Sequence, residues 1–233
     1  MILCLSAGHT PNIDSGAVGN GLKEATLTGD ICERVATKLS SYDVDIRQVP
    51  RTDSLQERAD FANNIGASAF ISIHINASSG TNGTGFESYI YPTVAASSVS
   101  LQNAIHDSVK AYLAGLSIAD RGKKTADFAV LRLTNMPAVL LECMFINNPY
   151  DAEMLKRDTF KDGMANAIAW GCVILYELKL RAPDATVETI RALQAKGIIV
   201  SPDYWIANAK AGGVCKGEYV AGLIKNFAEK LGG

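Results

Sequence analysis

The chain has 233 residues, 48% of them hydrophobic and 20% charged, the balance of a folded protein with one good-sized domain and a small appendage. A formal net charge of −2 argues against nucleic acid or an anionic membrane surface as partner. No stretch reaches the roughly 18 apolar residues of a membrane span. The apolar start, Met1 to Ala7, lacks the basic flank and the length of an export signal, so it reads as a first strand of a protein made in the cytoplasm.

The first strand ends at Gly8-His9, and a polar, glycine-rich loop follows from Thr10 to Gly21. Leu27, Ile31, Val35 and Leu39 then recur at helical spacing. Val44 to Val49 alternates like a strand with one buried face. Ser54 is placed to cap a second helix, with Glu57 three residues on completing a capping box, and that helix stops near Gly66. Phe70-Ile71-Ser72-Ile73-His74-Ile75-Asn76 follows without polar alternation, the pattern of a strand covered on both faces.

Gly85 to Tyr91 alternates again, and residues 99–116 carry helical spacing through Leu101, Ile105, Val109 and Leu113. In that helix His106 has polar neighbours and reads as surface. Ala138 to Cys143 is a second doubly apolar strand, and Tyr150 to Leu180 is mostly helical. Strands alternating with helices of this length give an α/β fold, a mostly parallel twisted sheet with helices on both faces.

The pattern breaks near Arg181-Ala182-Pro183-Asp184, which divides the chain into a domain over 1–180, a linker over 181–185 and a small all-helical module over 186–233. In the module, Thr186 is placed to cap a helix reaching Lys196, and Ser201-Pro202 restarts another. Tyr219, Leu223, Phe227 and Leu231 mark an amphipathic last helix. Tyr204, Trp205, Tyr219 and Phe227 suit either a small core or a sugar-stacking surface. Cell-wall binding, homodimerisation through these helices and simple packing are the open roles of the module. The five cysteines are scattered, with no Cys-x-x-Cys, which predicts reduced thiols.

In an open parallel sheet, ligands collect beyond the carboxyl ends of the strands. His9, His74 and Glu142 fall at such ends, and Glu24 lies near the start of the first long helix. Two histidines and a carboxylate with a fourth position open are the donors of a catalytic zinc site, and a further carboxylate can move protons. Singly, a histidine at a strand end is a hydrogen-bonding residue, and Glu24 serves the helix dipole equally well. Glu142 is harder to assign to scaffold, because a carboxylate within Val139-Leu140-Leu141-Glu142-Cys143 loses hydration unless it meets a charged partner or a wet cleft. Cys143 beside it faces the opposite side of the strand, which argues against a cysteine hydrolase. The loop Gly16-Ala17-Val18-Gly19-Asn20-Gly21 lacks the spacing of a dinucleotide-binding turn.

These residues belong to an ordered series: Ala7-Gly8-His9, Asp14-Ser15-Gly16-Ala17-Val18-Gly19, Glu24, Arg51-Thr52-Asp53, Arg58, Ser72-Ile73-His74-Ile75-Asn76-Ala77, Arg121-Gly122-Lys123 and Pro137 to Glu142. The series resembles the zinc-dependent N-acetylmuramoyl-L-alanine amidases of type 3, including the phage endolysins, over roughly residues 1–178. The resemblance implies that His9, Glu24 and His74 hold one zinc ion and that Glu142 is the catalytic carboxylate. It implies hydrolysis, by zinc-activated water, of the amide between N-acetylmuramic acid and the L-alanine of the peptidoglycan stem peptide. Two departures stand out: Met144 replaces the usual glycine two residues after the catalytic glutamate, and Ser6-Ala7 precedes Gly8-His9 in place of Asp-Pro. The setting expected is an endolysin released to the wall, with a sporulation enzyme as alternative. A zinc peptidase cutting within the stem peptide and a non-catalytic wall-binding protein are the competing functions.

Overall fold

The computed structural model describes residues 1–181, 185–208 and 215–231, and the chain divides into two compact units, Met1–Leu180 and Arg181–Gly233. The expected linker falls largely on 182–184, outside the described residues.

The first unit runs β1 (Ile2–Ala7), β2 (Val18–Gly19), β3 (Leu22–Lys23), α1 (Glu24–Leu39), β4 (Asp45–Gln48), α2 (Leu55–Asn64), β5 (Ala69–Asn76), β6 (Phe86–Ile90), α3 (Ala96–Ala114), β7 (Asp120–Thr125), α4 (Ala129–Arg132), β8 (Ala138–Phe145), α5 (Pro149–Lys156) and α6 (Asp158–Tyr176). Six strands form one sheet in the order β4-β1-β5-β8-β6-β7. The four strands β4, β1, β5 and β8 are mutually parallel, while β6 and β7 pair parallel with each other and antiparallel to β8. The sheet is therefore mostly parallel with a reversed edge.

The two apolar strands, β5 and β8, lie adjacent at the centre, which explains why neither alternates. On one face Ile71, Ile73, Val139 and Leu141 pack with Ile31 and Val35 of α1, Leu101 and Ile105 of α3, and Met164 and Ile168 of α6. On the other, Phe70 and Leu140 pack with Ala62 of α2 and Val130 and Leu131 of α4. Gly171 is required where α6 meets α3, since a Cβ there would lie 2.6 Å from the Ile105 Cα. Four of the five free cysteines are buried in these layers, Cys143 with no exposure.

Three local expectations need correction. Ser54 does cap α2 by accepting from the Glu57 amide at 3.2 Å, but the Glu57 carboxylate accepts from the Thr52 hydroxyl at 2.5 Å, so the return arm of the box is not made. Thr52 competes for that carboxylate because its own hydroxyl already holds the Ser54 amide. His106 is not on the surface: it is 1% exposed, with Nδ1 against Ser88 Oγ at 2.8 Å and Nε2 against Asp120 Oδ1 at 2.9 Å. It lies on the face of α3 turned to the sheet, four residues after the buried Gln102, so its polar atoms are met by other buried polar groups and not by water. In the second unit, α7 (Ala185–Ala195) begins one residue before Thr186, which is therefore inside the helix and not its cap.

The second unit continues with α8 (Pro202–Asn208) and α9 (Gly217–Leu231). Ile190, Ile199 and Trp205 form its small core, with Tyr204, Tyr219, Val220 and Leu223 packed against them. Tyr204 and Tyr219 stack at 3.7 Å between ring centroids. Of the two uses open to the aromatics, these three serve the core. Among the described residues no helix is long and apolar enough to cross a membrane.

Candidate metal centre

His9 stands two residues beyond Ala7, the last residue of β1, and takes φ of +59°, a left-handed conformation. Two arginines hold this corner. Arg51 donates from Nη1 to the carbonyls of Ala7, Gly8 and His9, and Arg58 donates from Nη1 to Ala7 and from Nη2 to His9. The loop returns to the start of α1, whose first two amides are met by loop carbonyls: Glu24 N donates to Ala17 O and Ala25 N to Ser15 O. The side chain of Glu24 is thus free of capping duty and turns inward, 5% exposed.

Its two oxygens are divided between the two histidines. Oε2 lies 3.2 Å from His9 Nε2, and Oε1 lies 3.0 Å from His74 Nδ1. The amides of Ala17 and Ile75 donate to Oε2 and Oε1 at 2.9 and 3.1 Å and fix the carboxylate plane. Ligand atoms of His9, Glu24 and His74 all lie within 4.8 Å of one another, the one such group of three or more among the described residues. The other nitrogen of His9, Nδ1, is held by Asp14 Oδ2 at 2.5 Å, which orients the ring with Nε2 inward. Two glycines give the rings room: a Cβ on Gly8 would come within 2.6 Å of the His74 ring, and one on Gly16 within 2.5 Å of His9 Cδ2.

The electrostatics suit a cation. Burial alone would raise the Glu24 carboxyl, but hydrogen bonds from His74 and His9 outweigh it and bring its pKa down to about 2. His9 is raised to about 9, first by its hydrogen bond with Glu24, with Asp14 adding to this against the effect of burial. A proton on His9 thus balances a buried carboxylate, and a divalent cation among the same atoms would displace it. Two imidazoles and one carboxylate, with no thiolate among them, are donors that zinc takes in its catalytic sites. The residues present fit the ion.

Glu142 is the β8 partner of His74 on β5, side by side across a parallel pair. Burial, and then the like charges of Glu24 and Glu87, push its carboxyl well above the usual range. Its Oε2 is buried and without a hydrogen-bond partner among the described residues. Such an orphan is costly in scaffold and expected of a group that meets a substrate. His9, His74 and Glu142 line one cleft of about 350 Å³, whose apolar side is built by Leu55, Phe128, Val130 and Leu140.

Two residues after Glu142, Met144 takes φ of +80°. Between the pairs His74–Glu142 and Asn76–Phe145, β8 spends one residue more than β5, so the departure from glycine sits in a β-bulge. The conformation that glycine would take is kept by a methionine.

Residues 3–173 match the family model described as N-acetylmuramoyl-L-alanine amidase. The chain belongs to the N-acetylmuramoyl-L-alanine amidase family. It is 40% identical to the sporulation-specific N-acetylmuramoyl-L-alanine amidase of Bacillus subtilis over 215 residues, 90% of this chain and 80% of the relative. It is also 40% identical to the endolysin of Bacillus phage SPP1 over 187 residues, 78% of this chain and 68% of that protein. Among solved structures, an amidase from Clostridium difficile 630 superposes with a TM-score of 0.71 at 29% identity, covering 76% of this chain and 96% of that one.

Of the four residues singled out from strand ends and the helix start, His9, His74 and Glu142 line this cleft, and Glu24 is held against the two histidines. Asp14, Arg51 and Arg58 join the site without a signal of their own in residue pattern. Asp14 and Arg51 lie in loops with no periodicity to flag them, whereas Arg58 sits on the buried face of α2, where its spacing marks the helix and not its hydrogen bonds to the β1 corner. Glu87 could have been found, because it is a carboxylate inside an apolar strand just as Glu142 is.

Proposed function

We propose that this amidase hydrolyses the bond between N-acetylmuramic acid and L-alanine with one zinc ion held by His9, Glu24 and His74 and with Glu142 as the proton carrier. The observation that carries the reading is the buried, unpartnered Oε2 of Glu142, a residue that lines the same cleft as His9 and His74. Zinc, when bound, supplies Lewis acidity to the amide carbonyl and acidifies water towards a pKa of ~7. Glu142 takes a proton from the attacking water and returns it to the leaving nitrogen of L-alanine. Burial first, and then the like charges of Glu24 and Glu87, hold the Glu142 carboxyl above the usual range, which suits a group that must keep a proton and hand it to a leaving nitrogen. Asp14 holds His9 in the tautomer whose Nε2 is free to ligate, and the apolar wall of Phe128, Val130 and Leu140 limits water around the reacting bond.

The test is Glu142→Gln. It is expected to bind one zinc per chain while amide hydrolysis falls by about 10²–10⁴-fold, the usual worth of general acid–base catalysis. A zinc-loaded Glu142→Gln protein with full activity would sink the assignment. We assign the phage-lysis setting to the chain and wall retention to residues 186–233. The equal identity to a sporulation amidase makes gene neighbourhood the deciding observation for the setting. For retention, sedimentation of the full chain with purified walls should exceed that of the chain ending at Leu180.

A further inference from the structure

The proposed mechanism leaves one buried carboxylate unused. Glu87 on β6 is the direct cross-strand partner of Glu142 and is 3% exposed. Directly opposed residues hold their Cβ atoms about 4.5–5.5 Å apart and on one face, so Glu87 adjoins the cleft that Glu142 lines. Both of its oxygens are engaged. Oε1 accepts from Asn76 Nδ2 at 2.6 Å and from the Tyr89 hydroxyl at 2.8 Å. Oε2 accepts from Arg121 Nε at 2.8 Å and from Lys124 Nζ at 2.5 Å.

One carboxylate therefore anchors two cations, and the group keeps a surplus positive charge. Each cation is part-exposed, with 36% of its side-chain surface open. Among the described residues Arg121 spends only Nε, so its two terminal nitrogens are left to donate. Lys124 spends one of three ammonium protons. Arg121 also lies over the Phe145 ring at 4.8 Å, which fixes the guanidinium just past the bulge that follows Glu142. A buried anion thus holds two unsaturated cations beside the cleft, at the end of the sheet where Glu24, Glu87 and Glu142 would otherwise repel an acidic ligand.

We infer that Arg121 and Lys124, held by Glu87, form a subsite for a carboxylate of the stem peptide on the leaving side of the scissile amide. The inference rests on the amidase reading above. The N-acetylated sugars are uncharged and the lactyl carboxyl is consumed in the scissile bond, so the anionic groups of this substrate are on its peptide. A guanidinium and an ammonium with open donors recognise a carboxylate and discriminate against the neutral carboxamide that replaces it in amidated walls.

The experiment compares kcat and KM on two muramoyl pentapeptides that differ only in a free carboxylate or a carboxamide on the second residue. The wild type is expected to favour the free acid by about tenfold, the worth of one charge-assisted hydrogen bond, mainly through KM. Raising salt should shrink that preference, because the cations are part-exposed. In Arg121→Gln and Lys124→Gln the ratio should fall towards one, with the larger loss on the free acid, and Lys124→Arg should retain it. A wild-type ratio near one, or variants that lose both substrates in equal measure, would overturn the subsite and leave Arg121 and Lys124 as scaffold. Release of a peptide with an L-alanine amino terminus from neither substrate would instead overturn the amidase reading itself.

Discussion

Replacing Met144 by glycine sets two effects of known size against each other. The left-handed φ of +80° costs a side-chain-bearing residue roughly 1–2 kcal/mol, which glycine would recover. Met144 is also fully buried among Ile75, Cys143 and their neighbours in the larger core, and deleting a buried methionine side chain costs about 2–5 kcal/mol. Glycine adds about 0.5–1 kcal/mol of unfolded-state entropy to that cost. The packing loss wins, and Met144→Gly should be destabilised by about 3 kcal/mol. Urea unfolding followed by circular dichroism reads this as a lower midpoint with an unchanged slope. The bulge itself should survive, because glycine keeps the same φ, so zinc binding by the folded variant should match the wild type. A variant as stable as the wild type, or more so, would refute the reasoning that buried packing is why methionine persists in a glycine conformation.

Other outcomes follow from the same geometry. Asp14→Ala should weaken zinc binding by about 10–100-fold in chelator competition, the usual cost of removing the partner of a ligating histidine; unchanged affinity would mean the Arg51–Arg58 clamp alone orients His9. Gly16→Ala places a Cβ at a left-handed position 2.5 Å from the His9 ring, so it too should lose zinc affinity, with thermal stability lowered as well. His106 should make the fold acid-sensitive. Its pKa is lowered, first by burial, against the pull of Asp120 and with Lys123 nearby. The unfolded chain therefore binds the proton more readily, and stability is lost as pH falls below the unfolded histidine value of about 6.5. Between pH 7.5 and 5.5 the wild type should lose more stability than His106→Gln; equal losses would assign the acid sensitivity elsewhere.

Much of the fold is written in residue pattern. The largely apolar runs at 70–75 and 138–143 mark the central strands because both their faces are covered, and α1 announces itself through Leu27, Ile31, Val35 and Leu39, all buried. Strand ends also locate the site, since a parallel sheet brings its carboxyl edges together whatever the distance in sequence. Direction is less legible. Nothing in Phe86-Glu87-Ser88-Tyr89-Ile90 tells that this strand runs against β8, because alternation reports burial and not polarity. His106 shows the same limit in reverse: a polar residue with polar neighbours reads as exposed until a serine from β6 and an aspartate from β7 arrive to meet both nitrogens. Asp14 and the two arginines act on a ring nitrogen and on backbone carbonyls at and beyond the end of β1, and such contacts leave no periodic trace.

The central claim is that the cleft cuts one particular bond. Purified peptidoglycan digested by the zinc-loaded protein, and again after chelation, can be read by mass spectrometry and amino-terminal labelling. The predicted result is a new L-alanine amino terminus matched by a free lactyl carboxylate on N-acetylmuramic acid, lost on chelation and restored by zinc. New termini within the stem peptide, or intact wall from zinc-loaded protein, would contradict it.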